Sequence, residues 1–189
     1  MTVNKVVRKF NNKGVTLVEL LVTVVLLILV TGMITLAIDF GVRSFNKSNR
    51  EAEGQILCAM LATSVKDELR YAKNIYIEGI DEGTDFSTLI FYSTNYSLKN
   101  CSFSITGKDG LSAESGFIML STLNGENELV QYDLVPKKTY VYGLKAKFSK
   151  FERDSSQPNP NFIVGIQVMT QDDQTIIAEE EFAVEPLNR

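Results

Sequence analysis

The sequence predicts an α+β protein in which one long N-terminal helix is laid on an antiparallel β-sheet. Three observations support this prediction. Residues 15–38 are almost wholly apolar, residues 39–73 continue with apolar positions at helical spacing, and residues 74–189 contain short segments rich in β-branched and aromatic side chains. With 189 residues, the chain is long enough for one modest domain and an appendage.

Residues 1–14 form a basic leader, because they include four cations and no acid. This bias favours an N-terminus in the cytoplasm. An ordinary cleaved secretory signal is disfavoured, because the following apolar run exceeds the usual length of about 7–15 residues and no small-x-small site follows it. The remainder of the chain is acidic, which argues against direct binding of nucleic acid.

The apolar run from Val15 to Ile38 contains one charged residue, Glu19. A helix over this run would be about 36 Å long, and the hydrocarbon core of a bilayer is about 30 Å thick, so we predict a membrane span. An acid at the centre of a membrane helix costs roughly 2.5–3.5 kcal/mol, which makes Glu19 a candidate functional residue. Alternatively, Glu19 reaches the aqueous interface of a simple anchor, since it lies close to the end of the run.

Residues 39–73 are predicted to carry the helix onward over a soluble domain. The apolar positions fall into two rows that are both expected to face the core, namely Leu57, Leu61, Val65, Leu69 and Ala72, and Phe45, Ala52, Ile56 and Met60. Gly54 weakens this helix without ending it. The prediction is one helix over residues 15–73.

Residues 74–189 are predicted to form an antiparallel sheet and an extracytoplasmic head domain. Asn124-Gly125 is typical of a tight hairpin turn. The two prolines in residues 154–161 exclude a central strand and indicate a loop. The predicted strands read NIYIEGI, STLIFYS, CSFSIT, GFIMLSTL, ELVQYDLV, TYVYGLKAKF, NFIVGIQVM and TIIAEEEFAV.

No catalytic or cofactor motif is recognisable, and the chain has no histidine. The acids of residues 81–85 do not have the spacing of a calcium-binding EF-hand, so we expect a solvated turn and no metal site. Cys58 and Cys101 would be able to form a disulfide if the domain is exported. The alternative is that both are small buried hydrophobic residues.

The stretch KGVTLVELL, from Lys13 to Leu21, resembles the processing site of type IV prepilins and related pseudopilins. Gly14 matches the residue before the cleaved bond, Val15 the new N-terminus, and Glu19 the acid at fixed spacing. Two departures are that many members have Phe or Met where this chain has Val15, and many have a proline within the helix. Here the first proline is Pro136.

The resemblance implies that a prepilin peptidase cuts between Gly14 and Val15 on the cytoplasmic side and methylates the new amine of Val15. Glu19 would then pair with the Val15 amine of a neighbouring subunit in a filament. The implied partners are other pilin or pseudopilin subunits, an assembly platform protein and an ATPase acting in trans. The implied fold is pilin-like, and the implied location is the cytoplasmic membrane, followed by an extracellular or periplasmic filament.

We therefore expect a structural subunit and not an enzyme. The size of the head domain favours a minor subunit of a type IV pilus, or of a pseudopilus for secretion or DNA uptake. The alternative is a signal-anchored extracytoplasmic binding domain that does not polymerise. Such an anchor would need neither Gly14 nor Glu19.

Overall fold

The computed structural model describes residues 14–77, 89–93, 99–107, 111, 113, 115–123, 128–154, 161–172 and 175–187. The predictions for the leader up to residue 13, for the acidic residues 81–85, for the Asn124-Gly125 turn and for most of the 154–161 loop lie outside these ranges. The described elements are helix α1 (Leu17–Arg70) and strands β1 (Ala72–Ile77), β2 (Leu89–Ser93), β3 (Lys99–Thr106), β4 (Phe117–Leu123), β5 (Leu129–Asp133), β6 (Lys145–Asp154), β7 (Asn161–Met169) and β8 (Ile176–Val184).

The predicted fold class is confirmed, because one long N-terminal helix packs on antiparallel sheets. By internal contacts the chain divides into two units, Met1–Asn46 and Lys47–Arg189, and α1 contributes to both. The helix begins at Leu17 and not at residue 15, and it ends at Arg70 and not at residue 73.

The described part of the first unit is helical from Leu17 onward, and all of its described side chains are exposed. Its threonine hydroxyls are satisfied within the helix. Those of Thr23 and Thr31 donate to the carbonyl oxygens of Leu20 and Leu27 over 2.8 and 2.7 Å, and that of Thr35 donates to the Thr31 carbonyl over 2.9 Å. A helix whose polar groups are internally paired and whose surface is apolar is suited to a lipid environment.

The second unit contains two antiparallel sheets. Strands β1 to β5 follow one another in order in the first sheet, and β6 to β8 do so in the second. An isolated bridge links the sheets. The N–H of Gly116 donates to the Ala146 carbonyl over 2.9 Å, and the N–H of Ala146 donates back to the Gly116 carbonyl over 2.8 Å.

The core lies between α1 and the inner faces of both sheets and forms one continuous apolar cluster. Burial of each large apolar side chain there contributes about 1.5–3 kcal/mol. The fully buried contributors include Leu57, Leu61, Val65 and Leu69 of α1, Phe91, Phe103 and Ile118 of the first sheet, and Val164, Ile166 and Val168 of the second.

The structure corrects one part of the helical prediction. The row containing Leu57 and Leu61 is buried, but Ile56 and Met60 of the other row are 48% and 45% exposed. Phe45 and Ala52 are exposed as well. The reason is that the sheets cover one side of α1 only, and Ile56 and Met60 are each displaced by about 100° around the helix from their buried neighbours Leu57 and Leu61.

Ala72 was predicted to end the buried helical row, but the structure places it in β1, where it is fully buried. The helix ends two residues earlier, at Arg70. The carbonyl oxygen of Arg70 accepts a hydrogen bond from the N–H of Leu187 over 2.7 Å, so the end of the described chain returns to the end of the helix. This contact satisfies a carbonyl that has no partner within the helix.

The segment between β5 and β6 is attached to the core by buried side chains at Val135, Tyr140 and Leu144. The hydroxyl oxygen of Tyr140 accepts a hydrogen bond from the N–H of Ile118 over 3.2 Å. Burial raises the pKa of Tyr140 to about 12. Tyr142 lies in the left-handed region with φ 56°, and its side chain is exposed.

Candidate processing and assembly site

The candidate site is the start of α1, where residues 14–16 are non-helical and Leu17 is the first helical residue. Gly14 lies in open surroundings, since an added Cβ would have no neighbouring atom within 4 Å. Val15 is 70% exposed. The bond between Gly14 and Val15 is therefore in an accessible, non-helical stretch.

Thr16 and Glu19 cap the start of the helix reciprocally. The Glu19 N–H donates to the Thr16 hydroxyl over 3.3 Å, and the Thr16 N–H and hydroxyl both donate to Glu19 Oε2 over 3.4 Å. This is the arrangement called a capping box, in which Ser or Thr is followed three residues later by Glu. Two backbone donors that would otherwise have no partner are thereby satisfied.

The capping box accounts for a local role of Glu19 that sequence reasoning missed. The signal was present, because Thr16-Leu17-Val18-Glu19 has the Thr-x-x-Glu pattern. The carboxylate also lies in the first helical turn, where the helix dipole favours a negative charge. A carboxylate can accept about four hydrogen bonds, so the contacts with Thr16 leave room for a further donor.

The two cysteines lie in different surroundings and are present as buried thiols. Cys58 Sγ is 3.6 Å from the carbonyl oxygen of Ile166, and Cys101 Sγ is 3.5 Å from the Thr122 hydroxyl. Burial raises the pKa of the Cys58 thiol to about 11, with a smaller contribution from Glu180, and burial also raises that of Cys101. Both are poor nucleophiles near neutral pH, because the thiolate is the reactive form.

Among the described residues, no group of three or more His, Cys, Asp or Glu side chains is placed to hold a metal ion. The features that remain are a long exposed apolar helix, a capped start with a single acid, and a head domain of antiparallel sheets. Together they define a protein of pilin-like architecture.

Comparison with known proteins agrees with this class. Residues 9–35 match the family model described as the prokaryotic N-terminal methylation motif. The matched region contains Gly14, Val15 and Glu19, and it marks a type IV prepilin-like N-terminus. No match was found for the chain among curated proteins or among solved structures.

The motif and helix α1 together have consequences for this chain. The motif supports a type IV pilin-like or pseudopilin subunit. It implies processing by a prepilin peptidase and assembly with other pilin subunits. Helix α1 is also long and apolar enough to cross a membrane, which is consistent with membrane anchoring.

Proposed function

We propose that this chain is a minor subunit of a type IV pilus or of a related secretion or DNA-uptake pseudopilus. The observation that best supports this proposal is made at the start of α1. There the methylation motif coincides with an accessible Gly14 and with Glu19 in the first helical turn. A minor role is supported by the size of the head domain, which we place at residues 74–189.

Processing is proposed to remove residues 1–14. Glycine before the cleaved bond lets the backbone enter a narrow active site in an extended form. The new N-terminus would be Val15, which the same peptidase would methylate. We assign residues 15–38 to the membrane and assembly half of the N-terminal segment and residues 39–73 to its amphipathic half, in which the helix itself ends at Arg70.

Assembly is proposed to join the Val15 amine of one subunit to the Glu19 carboxylate of another. Removing an acid from water without a partner is costly, whereas a pair with good hydrogen bonds recovers much of that cost. The pairing would therefore favour one register of neighbouring helices. The remaining acceptor capacity of Glu19 beside Thr16 supports this role.

The proposed path begins in the cytoplasmic membrane, with the N-terminus inside and the head domain outside. A platform protein and an ATPase acting in trans would then move the subunit into an extracellular or periplasmic filament. The exposed Ile56 and Met60 supply a further apolar surface on the helix for contact with neighbouring subunits. The head domain is proposed to act without a cofactor or a metal.

The decisive experiment is the intact mass of the protein from membranes that contain the peptidase, beside a Gly14→Ala variant. We expect the wild-type protein to lack residues 1–14 and to carry one methyl group on Val15, and the variant to retain the leader. A matched Gly41→Ala variant, which is also in open surroundings, is expected to be processed normally. An uncut wild-type chain would instead support a signal-anchored binding domain that does not polymerise.

A further inference from the structure

Strand β8 forms one edge of the three-stranded sheet. It pairs with β7 along one side, and no other described strand pairs with its opposite side. With nine residues it is longer than β1 and β5, the edge strands of the other sheet, which have six and five. Strand β6, the other edge of its own sheet, has ten residues, and Ala146 of β6 is bridged to Gly116. A long row of unpaired backbone N–H and C=O groups is a template for a strand from another molecule.

The register of β8 places Glu180 on the side of the sheet that faces the core. Glu180 is directly opposite Ile166, which is fully buried, and side chains of opposed residues lie on the same face. Its neighbours on that face, Ala178 and Phe182, pack against the core. Helix α1 lies over this face, since Cys58 Sγ is 3.6 Å from the Ile166 carbonyl.

The two adjacent acids lie on the opposite, outer face and have partners there. Glu179 Oε1 accepts a hydrogen bond from Gln167 Nε2 over 2.8 Å, and Glu181 Oε2 is 3.4 Å from Lys150 Nζ. Glu180 has no ion pair or hydrogen bond with another described side chain, and it is exposed. Solvent is therefore what stabilises the Glu180 charge at this edge.

A strand added to β8 would remove that solvent. Its side chains on the core-facing side would enclose the Glu180 carboxylate between themselves and α1, and an enclosed charge without a partner is strongly destabilising. In an antiparallel pair formed by two copies of β8, the central acids would also face one another, and like charges at opposed positions are unfavourable. In the same register Glu179 would be opposed to Glu181 of the second copy, but these outer acids keep their access to solvent and their partners Gln167 and Lys150. The enclosed Glu180 is therefore the costlier group.

We propose that Glu180 keeps the β8 edge closed to strand pairing with a second copy of this chain. Charges that point inward on edge strands are one of the ways in which natural sheets avoid such pairing. The role is independent of the function proposed above, because it requires only that copies of the chain meet at high local concentration. Contacts between copies would then form through surfaces other than this edge.

The test compares Glu180→Val with Glu179→Val in the full chain, purified in detergent. Both variants remove one negative charge from the same strand, but only the first removes it from the core-facing side. We expect Glu180→Val to lower the dissociation constant for self-association about tenfold or more, as measured by sedimentation. We also expect slower backbone hydrogen exchange in β8 at high protein concentration.

Two results would overturn the proposal. One is that Glu180→Val has the same self-association as the wild-type protein, and the other is that Glu179→Val self-associates equally strongly. Circular dichroism establishes that both variants are folded. If Glu180→Val does not fold, Glu180→Gln replaces it, since the amide keeps the shape of the side chain and removes the charge. If folded Glu180→Gln showed the same self-association in sedimentation as the wild-type protein, that result would likewise contradict the proposal.

Discussion

Gly54 of α1 lies in close contact with Ile177 of β8. The helix can approach the strand this closely only because Gly54 has no side chain. A Cβ atom added at Gly54 would lie 3.1 Å from Ile177 Cβ and closer still to Ile177 Cγ2. Gly54 is itself buried. A residue that weakens the helix locally therefore permits close packing of the helix on the second sheet.

We predict that Gly54→Ala lowers the stability of the head domain. Overpacking costs about 1–3 kcal/mol, while the better helix propensity of alanine returns at most about 1 kcal/mol. Thermal unfolding in detergent, followed by circular dichroism, measures the balance. Gly41→Ala is the matched control, because a Cβ there meets nothing within 4 Å and only the gain in propensity is expected. A Gly54→Ala protein at least as stable as Gly41→Ala would contradict this account.

The neighbours Met60 and Leu61 test the assignment of the two helical rows. Leu61 is fully buried and Met60 is 45% exposed. We predict that Leu61→Ala lowers the free energy of unfolding by about 2–5 kcal/mol, because it leaves a cavity in the core. Met60→Ala is expected to cost less than about 1 kcal/mol in the isolated subunit. Urea unfolding of both variants provides the comparison, and equal losses would show that both rows are buried.

The same two rows show what the sequence could predict of the fold and where it stopped. Helical spacing identified the buried positions Leu57, Leu61, Val65 and Leu69, since spacing depends only on helix geometry. It could not distinguish them from Ile56 and Met60, because both rows are apolar. The choice depends on which side of the helix the sheets cover, and that is a property of tertiary packing.

The candidate site also had features that the sequence could predict and others that it could not. Gly14, Val15 and Glu19 were predicted from a local pattern, and the matched motif contains all three. The contact between Thr16 and Glu19 was readable from the same stretch but was missed, because Glu19 was interpreted only through a partner in another subunit or through the membrane interface. The side of β8 on which Glu180 lies was not readable, because it depends on the register with β7.

The charge of Glu19 is predicted to act in assembly and not in processing. Glu19→Gln keeps an acceptor oxygen for Thr16 but cannot form an ion pair with the Val15 amine. We expect the variant to be cleaved after Gly14 while the amount of sheared filament falls about tenfold or more. Intact mass reports cleavage, and quantitative blotting of the sheared fraction reports assembly.

A Thr16→Ser variant is the control for the capping box. Serine retains the hydroxyl that accepts from the Glu19 N–H, so we expect near-normal filament content. Normal assembly of Glu19→Gln would show that the charge is dispensable, and the proposed pairing would then be wrong. A variant that remains uncut would place the role of Glu19 in recognition by the peptidase.

Tyr140 is predicted to make the stability of the head domain depend on pH in the alkaline range. Its pKa is raised from 10.0 to about 12, chiefly by burial. The folded protein therefore retains this proton at a pH where the unfolded chain has lost it. It follows that the free energy of unfolding falls as the pH rises from about 10 to about 12, by at most about 1.4 kcal/mol per pH unit from this group.

Unfolding in urea at pH 9 and pH 11.5 measures this loss in the wild-type protein and in Tyr140→Phe. The variant is expected to be less stable at pH 9 by about 1–3 kcal/mol, because the Ile118 N–H loses its acceptor. It should nevertheless lose less stability than the wild-type protein between the two pH values. Cys58, whose pKa is raised to about 11, leaves a residual decrease in both proteins. Tyr142→Phe, at an exposed position, is the control and should behave as wild type. If the free energy of unfolding of Tyr140→Phe fell as much as that of the wild-type protein between the two pH values, Tyr140 would be excluded as the titrating group.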